Sequence, residues 1–393
     1  MTLEFLDGNK LQLLVNGGAY FPALRQAIDA AQSEIYLETY IFADDDSGRD
    51  IAAALVRAAG RGVSVHVLVD GFGSKGMFEQ TRRLLEAAGV AVLIFGPKTS
   101  PLSLRRNRLR RLHRKLVAVD ACVAFLGGIN IIDDMHTPGN TPPRYDYAVR
   151  IEGPLVASVL EQAERLWRRV AWASLKRSAQ RHKPVDAAAR GTQHAALVVR
   201  DNFRHRSDIE DAYLEAIRGA HKEIIIANAY FFPGARFRQA LRSAAGRGVR
   251  VVLLLQGRVE YVLLYYASRA LYGSLLDAGV EIYEYHKSFL HAKVAVIDRR
   301  WATVGSSNID PFSLMLAREA NVVVDDLHFS RELRHSLLDH MKSGARVVAK
   351  GAWHHQPLMR RILIWSAYGF TRFLMGVAGY GGKYYDETGT AGP

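Results

Sequence analysis

The sequence predicts an α/β protein built as two copies of one unit, each a mostly parallel or mixed sheet flanked by helices. Three observations carry the prediction. The stretch beginning at Ser33 and the one beginning at His221 spell the same succession of apolar and polar residues, both are broken by an identical Gly-Arg-Gly, and both lead into the same spaced histidine, lysine and aspartate. Self-similarity on this scale marks a duplicated architecture. A chain of 393 residues has room for both copies to hold proper cores.

In the first copy the alternation around Ile35 and Leu37 suits a strand, and the Ala-rich stretch of helical period that follows suits a helix. Gly60-Arg61-Gly62 suits its C-cap, and a Val-rich strand comes next, ending at Asp70. The second copy repeats this with Ile224 and Ile226, the break Gly246-Arg247-Gly248 and a second Val-rich strand. Matching phrases close the pattern, LLEAAGVAVLIF over 84–95 and LLDAGVEIYEY over 275–285. Strand, helix, strand, helix, strand is the order of a mostly parallel sheet. Between the last strand and the first motif the first copy carries an insertion, Lys98 to Leu112, holding Arg105, Arg106, Arg108, Arg110 and Arg111 among leucines. It reads either as a solvated loop or as an electrostatic collar for an anionic ligand, and its direct run into the motif favours the collar.

Composition narrows the partners. With 49% hydrophobic and 23% charged residues the chain is neither disordered nor a polytopic membrane protein. Its 52 Lys+Arg against 39 Asp+Glu leave +13, which points to nucleic acid, anionic lipid surfaces or phosphorylated substrates. The single cysteine, Cys122, excludes an intramolecular disulfide and a cysteine-rich zinc module. Glu4 and Asp7 interrupt the N-terminus before any apolar run, so export through a signal sequence is not expected. The segment nearest to a membrane span, Ile362 to Gly382, is interrupted by Arg372.

The chemistry sits in the duplicated motif. The first copy has His113, Lys115 and Asp120, then Gly127-Gly128 and Asn130; the second has His291, Lys293 and Asp298, then Gly305-Ser306 and Asn308. On an extended strand His and Lys two apart share a face, whereas the aspartates fall on the other and are expected to stabilise the fold. Displacement at a phosphodiester needs a nucleophile, a proton donor for the leaving alkoxide and positive charge around the non-bridging oxygens. Two imidazoles can share the first two tasks, Lys115 and Lys293 can hold the phosphoryl oxygens, and Asn130, Asn308 and the Ser306 hydroxyl can add hydrogen bonds. No metal or other cofactor is then required. Two other patterns are set aside. Gly71 to Gly76 fits a dinucleotide fingerprint but lacks the ribose-binding acid downstream, and Asp44-Asp45-Asp46 reads as a turn and helix start.

HxKxxxxD followed by GGxN or GSxN, twice in one chain, resembles the phospholipase D superfamily, and the match covers most of residues 30 to 326. The resemblance implies that a pseudo-twofold pairing brings both motifs to one shared active site, with a phosphohistidine intermediate. It also implies orienting carboxylates: Glu319 matches a family position that serves His291, and Asp146 is the candidate for His113. The phrases YIF, LVDGFGS, LHRKLVAVD, DYAVRIEGP, NAYFFPG and YEYHKSFLHAK look like the bacterial cardiolipin synthases, in particular those lacking N-terminal transmembrane helices. That likeness implies transfer of a phosphatidyl group from one phosphatidylglycerol to another, with His113 as nucleophile and His291 as acid then base, or the reverse. Its alternatives are hydrolysis to phosphatidic acid and a nuclease of the same fold, although a nucleic-acid partner is not expected. The expected organisation is an N-terminal half over 1–185, a C-terminal half over 186–345 and a basic, aromatic tail over 346–393 that meets the membrane. The place expected for it is the cytoplasmic face of a bacterial inner membrane, as a peripheral protein.

Overall fold

The computed structural model describes residues 3–96, 110–137, 139, 141–175, 188–201, 205–310 and 317–377. The first half runs β1 (Leu6–Val15), α1 (Asn16–Ala30), β2 (Glu34–Thr39), α2 (Asp46–Gly60), β3 (Ser64–Asp70), α3 (Glu79–Ala87), β4 (Ala91–Phe95), β5 (Arg111–Leu112), β6 (Lys115–Val119), β7 (Val123–Gly127), β8 (Arg144–Tyr145), β9 (Tyr147–Glu152) and α4 (Leu155–Ala173). The second runs β10 (Gln193–Arg200), α5 (Asp208–Gly219), β11 (Glu223–Asn228), α6 (Ala235–Gly246), β12 (Arg250–Gln256), α7 (Val262–Arg269), α8 (Tyr272–Asp277), β13 (Glu281–Tyr285), β14 (Phe289–Leu290), β15 (Lys293–Ile297), β16 (Trp301–Gly305), β17 (Ala317–Asp325) and α9 (Leu327–Gly344). β18 (Ala345–Val347), α10 (Lys350–His354) and α11 (Leu358–Val377) follow.

Each half has the same sheet. β2, β3 and β4 pair in parallel, as do β11, β12 and β13, because a helix crosses over between successive strands. The motif strands β6 and β15 instead run antiparallel to β2 and β11, and hairpin partners β7 and β16 extend the sheet antiparallel as well. Each half is therefore mixed. The outer strands β1 and β10 pair antiparallel and fuse the halves into one continuous sheet.

Three cores fill the body. Helices α1 to α3 cover the first half and α5, α6 and α8 the second, while α4 and α9 share a central core with strands from both halves. Helix α2 shows why its sequence folds this way. Asp45 caps it by accepting from the Gly48 N–H at 2.9 Å, and Ile51 and Leu55 lie one turn apart on the buried face. Burial of each of these side chains contributes about 1.5–3 kcal/mol. The Gly-Arg-Gly breaks end α2 and α6, with Gly62 at φ 87° and Gly248 at φ 85°. The arginine between the glycines does more than link. Arg61 Nη2 donates to the carbonyls of Ile28 and Ala31 at the end of α1, and Arg247 Nη2 does the same to Ile217, Arg218 and Ala220 at the end of α5.

The tail helix α11 lies along α7 and buries Ile364, Ala367 and Thr371, while Leu358, Ile362, Phe370, Phe373 and Leu374 face outward. Among the described residues no helix is long and apolar enough to cross a membrane. The arginine-rich collar expected over Lys98 to Leu112 falls outside the described residues up to position 109, as does the end of the tail beyond position 377.

Candidate active site

The two motifs meet because each half lends the other a short strand. β17 continues past its own sheet to pair in parallel with β5, Arg318 opposite Leu112, and the His113 N–H donates to the Arg318 carbonyl at 3.0 Å. On the other side β8 pairs in parallel with β14, Tyr145 opposite Leu290, and the His291 N–H donates to the Tyr145 carbonyl at 2.8 Å. These bridges put the residue after each carbonyl beside the opposite histidine. His113 Nδ1 lies 2.9 and 3.1 Å from the Glu319 carboxylate oxygens, and His291 Nδ1 lies 2.6 Å from Asp146 Oδ2.

This corrects the expected pairing, in which Glu319 served His291 and Asp146 served His113. Asp146 and Glu319 occupy equivalent places in their own halves, each just before the residue whose carbonyl accepts from the Gly128 or Ser306 N–H. The strand exchange then carries each carboxylate across the pseudo-twofold axis. Both carboxylates are buried, and each fixes the tautomer of its imidazole so that Nδ1 donates and Nε2 carries the free lone pair.

Ser306 also differs from expectation. Its hydroxyl donates to Glu319 Oε2 at 2.5 Å, so the proton is spent on the orienting carboxylate. In the first half the matching residue has to be Gly128, because a Cβ there would stand 2.3 Å from Asp146 Oδ1. The difference between the copies thus belongs to the support of the carboxylates.

Asp120 and Asp298 lie away from the cavity and act on the backbone, in line with their place on the other strand face. Asp120 accepts from the N–H groups of Gln32, Ser33 and Glu34 and from the Ser33 hydroxyl, and Asp298 accepts from those of His221, Lys222 and Glu223. Each pins the entrance of its neighbouring parallel strand to the turn after the motif strand. Burial opposes ionisation at both aspartates, but these hydrogen bonds outweigh it and hold the carboxyls below their ordinary values.

The lysines turn back on their histidines. Lys115 Nζ donates to the His113 carbonyl at 2.5 Å, and Lys293 Nζ donates to the His291 carbonyl and lies 2.9 Å from His291 Nδ1. Burial pushes the Lys115 ammonium down to about 7 and that of Lys293 down to about 8. It also lowers both histidines, His291 well below the usual range because the cations of Lys293, Arg144 and Lys115 add to desolvation. Asp146 is pushed up by burial to about 6. The site therefore holds several groups that titrate near neutrality, as acid and base catalysis requires.

His113, His291, Asn130 and Asn308 line one cavity of about 460 Å³. Asn130 Oδ1 accepts from the Ile41 N–H at 3.1 Å, which leaves its Nδ2 donors for the cavity. The opposite wall is apolar, made by Leu263 and Leu264 of α7 with Tyr261 and Phe289. Arg144 and Glu260 on the lining, and Asp70 behind it, were not foreseen. Arg144 is 8% exposed and donates through Nη2 to the His136 carbonyl, yet among the described residues its Nε and Nη1 have no hydrogen-bond partner. Glu260 accepts from the Tyr230 hydroxyl, and burial raises its carboxyl. Asp70 works from behind: its Oδ2 accepts from the Leu112 N–H and its Oδ1 from those of Phe72 and Gly73, tying the Gly71 turn to the segment that presents His113. Gly73 is required there because a Cβ would stand 2.4 Å from the Tyr40 carbonyl.

Comparison with known proteins follows this geometry. The family described as cardiolipin synthase, PLD-like domain, matches the chain over residues 24–167 and 213–341. Cardiolipin synthase B of Escherichia coli K12 is 44% identical over 347 residues, which cover 86% of this chain and 81% of that protein. The major cardiolipin synthase of Bacillus subtilis is 30% identical over 334 residues, 84% of this chain and 68% of its own length. Among solved structures, the phosphatidylserine synthase of Haemophilus influenzae superposes with a TM-score of 0.69, at 13% identity and with 96% and 97% of the two chains covered, which is a likeness of fold. Two matched repeats over most of the length, built around one pair of exchanged histidine–carboxylate couples, make this chain a member of the cardiolipin synthase family of phospholipase D-like proteins.

Proposed function

We propose that the protein is a phosphatidyltransferase that joins two phosphatidylglycerol molecules into cardiolipin and releases glycerol, and that the exchanged couples divide the work. The observation that carries this reading is a single cavity with an imidazole–carboxylate couple on each side and an apolar wall behind them. His113 Nε2 attacks phosphorus, the bond to the glycerol oxygen breaks, and His291 gives that oxygen its proton. The acceptor hydroxyl then loses its proton to His291 and attacks the same phosphorus, and the bond to His113 breaks. To act as acid this couple holds one proton more than the resting tautomer, which places an N–H at His291 Nε2; burial raises Asp146 to about 6 and lowers His291, so that proton is shared between the two partners and not fixed on the imidazole. Lys115, Lys293 and the Asn130 and Asn308 amides stabilise the charge on the transferred phosphoryl group.

The acceptor brings a second phosphate, and that charge needs its own cation. Arg144 suits this task, being buried at the cavity with Nε and Nη1 free of partners among the described residues. The outward apolar residues of α11, with exposed Tyr261 and Val262 beside the cavity, suit a protein that works as a peripheral body on a lipid surface.

The test is to incubate the purified chain with phosphatidylglycerol vesicles in EDTA and follow cardiolipin, phosphatidic acid and glycerol by mass spectrometry. Cardiolipin with matching glycerol is expected, and phosphatidic acid alone would make the protein a hydrolase. A p-nitrophenyl ester, whose leaving group needs no acid, separates the histidines. His291→Ala is expected to release one equivalent of p-nitrophenol and stall, while His113→Ala releases none; the opposite result exchanges the roles.

A further inference from the structure

Outside the catalytic cavity a groove of about 1190 Å³ lies on the other side of α11. Its charge is unusual. Arg236, Arg238 and Arg242 of α6, Arg269 of α7, and Arg361 and Arg372 of α11 all line it, and the one acid on its walls, Asp277, is already held by Lys350 at 3.0 Å and His354 at 3.2 Å. Part of that charge is answered within the protein, Arg236 by Asp211 at 3.1 Å and Arg269 by Glu284 at 2.5 Å, but bringing further guanidinium groups into the same concavity still costs repulsion that an anion would relieve.

Two details fit a ligand on these walls. Arg269 is 1% exposed and its Nε, a donor suited to an anion, has no hydrogen-bond partner among the described residues; Gln356 Oε1 is buried without one as well and, as an acceptor, suits a headgroup hydroxyl and not the phosphate. Such orphaned polar atoms are costly unless something outside the protein pairs with them. Among the described residues Arg242 and Arg361 make no ion pair, so their charge is available to a guest. Trp353 and Trp365 complete the lining with indole rings, which sit comfortably at a boundary between water and hydrocarbon.

We propose that this groove is a second, non-catalytic binding site for the phosphodiester headgroup of an anionic phospholipid. Its position selects a lipid. The same helix that supplies Arg361 and Arg372 to the groove turns Leu358, Ile362, Phe370 and Phe373 outward and sends Thr371 into the catalytic cavity. A surface that takes up the outward apolar residues therefore brings headgroups to the groove and to the reaction centre at the same level. The inference rests on the lipid reading of the catalytic site, which the test keeps separate.

The double variant Arg242→Gln/Arg361→Gln removes two unpaired groove cations. Its control, Arg346→Gln/Arg360→Gln, removes the same charge from the same end of the molecule but outside the groove lining. Binding of the full-length chain to vesicles of phosphatidylglycerol in phosphatidylcholine is measured by co-sedimentation, and cleavage of bis(p-nitrophenyl) phosphate is measured in parallel. The groove variant is expected to lose affinity by about tenfold or more and the control severalfold less, with the soluble diester still cleaved by both. Equal losses in the two variants would overturn the site. Displacement of the wild-type chain from vesicles by millimolar inorganic phosphate, with no such effect on the groove variant, would overturn the lipid in favour of free phosphate. A groove-specific loss of binding to duplex DNA with vesicle binding intact would overturn it in favour of nucleic acid. If the wild-type chain makes no cardiolipin while the groove-specific loss on vesicles persists, the transferase reading fails and this inference stands.

Discussion

At the scale of single residues the site is a set of buried charges that no longer have their solution chemistry. Lys115 and Lys293 are pushed down by burial to about 7 and about 8, so in the empty enzyme at pH 8 both spend part of the time neutral. An entering phosphodiester anion favours their ammonium forms and raises their pKa values. Binding at pH 8 is therefore expected to take up protons, and affinity is expected to fall as pH rises through 7 and 8. Calorimetric titration with a non-cleavable phosphonate in buffers of different ionisation enthalpy checks this, and a binding heat independent of buffer would show both lysines already charged. The carboxylates contribute through the histidines. Replacing Glu319 with Gln or Asp146 with Asn keeps the shape but puts an uncharged amide, which can also donate, where an acceptor-only carboxylate fixed each tautomer, and a fall in turnover of about 10²–10⁴-fold is expected in a steady-state assay.

At the scale of elements, α11 divides its surface between the protein and the outside. Ile364 and Ala367 pack on the body, so replacing them would test the fold, whereas Phe370 and Phe373 are 52% and 64% exposed and test attachment. Phe370→Ser/Phe373→Ser is expected to weaken vesicle binding by more than about tenfold, since each ring buries about 1.5–3 kcal/mol of transfer free energy, while cleavage of a soluble diester persists. Loss of both together would mean that the helix supports the active site more than the attachment. Sequence patterning shows this helix only in part. Its mixture of arginines and aromatics is visible along the chain, but which face meets α7 depends on packing between distant segments. The same limit explains the carboxylates. His113, Lys115 and Asp120 are legible because their spacing maps directly onto one strand and its turn, and so are the Gly-Arg-Gly breaks. Asp146 and Glu319 are visible as candidates, but the repeat aligns each with its own half, and nothing local encodes the pairing of β8 with β14 and of β17 with β5 that sends them across. Arg144 stands two residues from Asp146 in the same phrase, and what marks it out, burial with unpartnered N–H groups, exists only once the chain is folded.

At the scale of the whole molecule, duplication and charge act together. Two equivalent sheets joined through β1 and β10 place both motifs on one cavity; the repeat shows the duplication, but the shared site is implied only by the family resemblance, and the fused sheet is more antiparallel than the strand–helix alternation suggests. The net charge of +13 draws the whole body to anionic surfaces through long-range forces that salt screens. Raising ionic strength from about 0.05 to 0.5 M is expected to weaken attachment to phosphatidylglycerol vesicles steeply and to change turnover of bis(p-nitrophenyl) phosphate little, because the Debye length shrinks to a few ångströms while the buried couples see no salt. Parallel salt titrations of the two activities check this.

The exchange of carboxylates also sets an order in time. During synthesis His113 leaves the ribosome long before Glu319, which completes it, and Asp146 is made before the imidazole it will serve. Any polypeptide released short of residue 319 lacks the carboxylate that pairs with His113, however well its first half has folded. Such a fragment also stops short of α11, so it carries neither the paired site nor the outward apolar face of the tail helix.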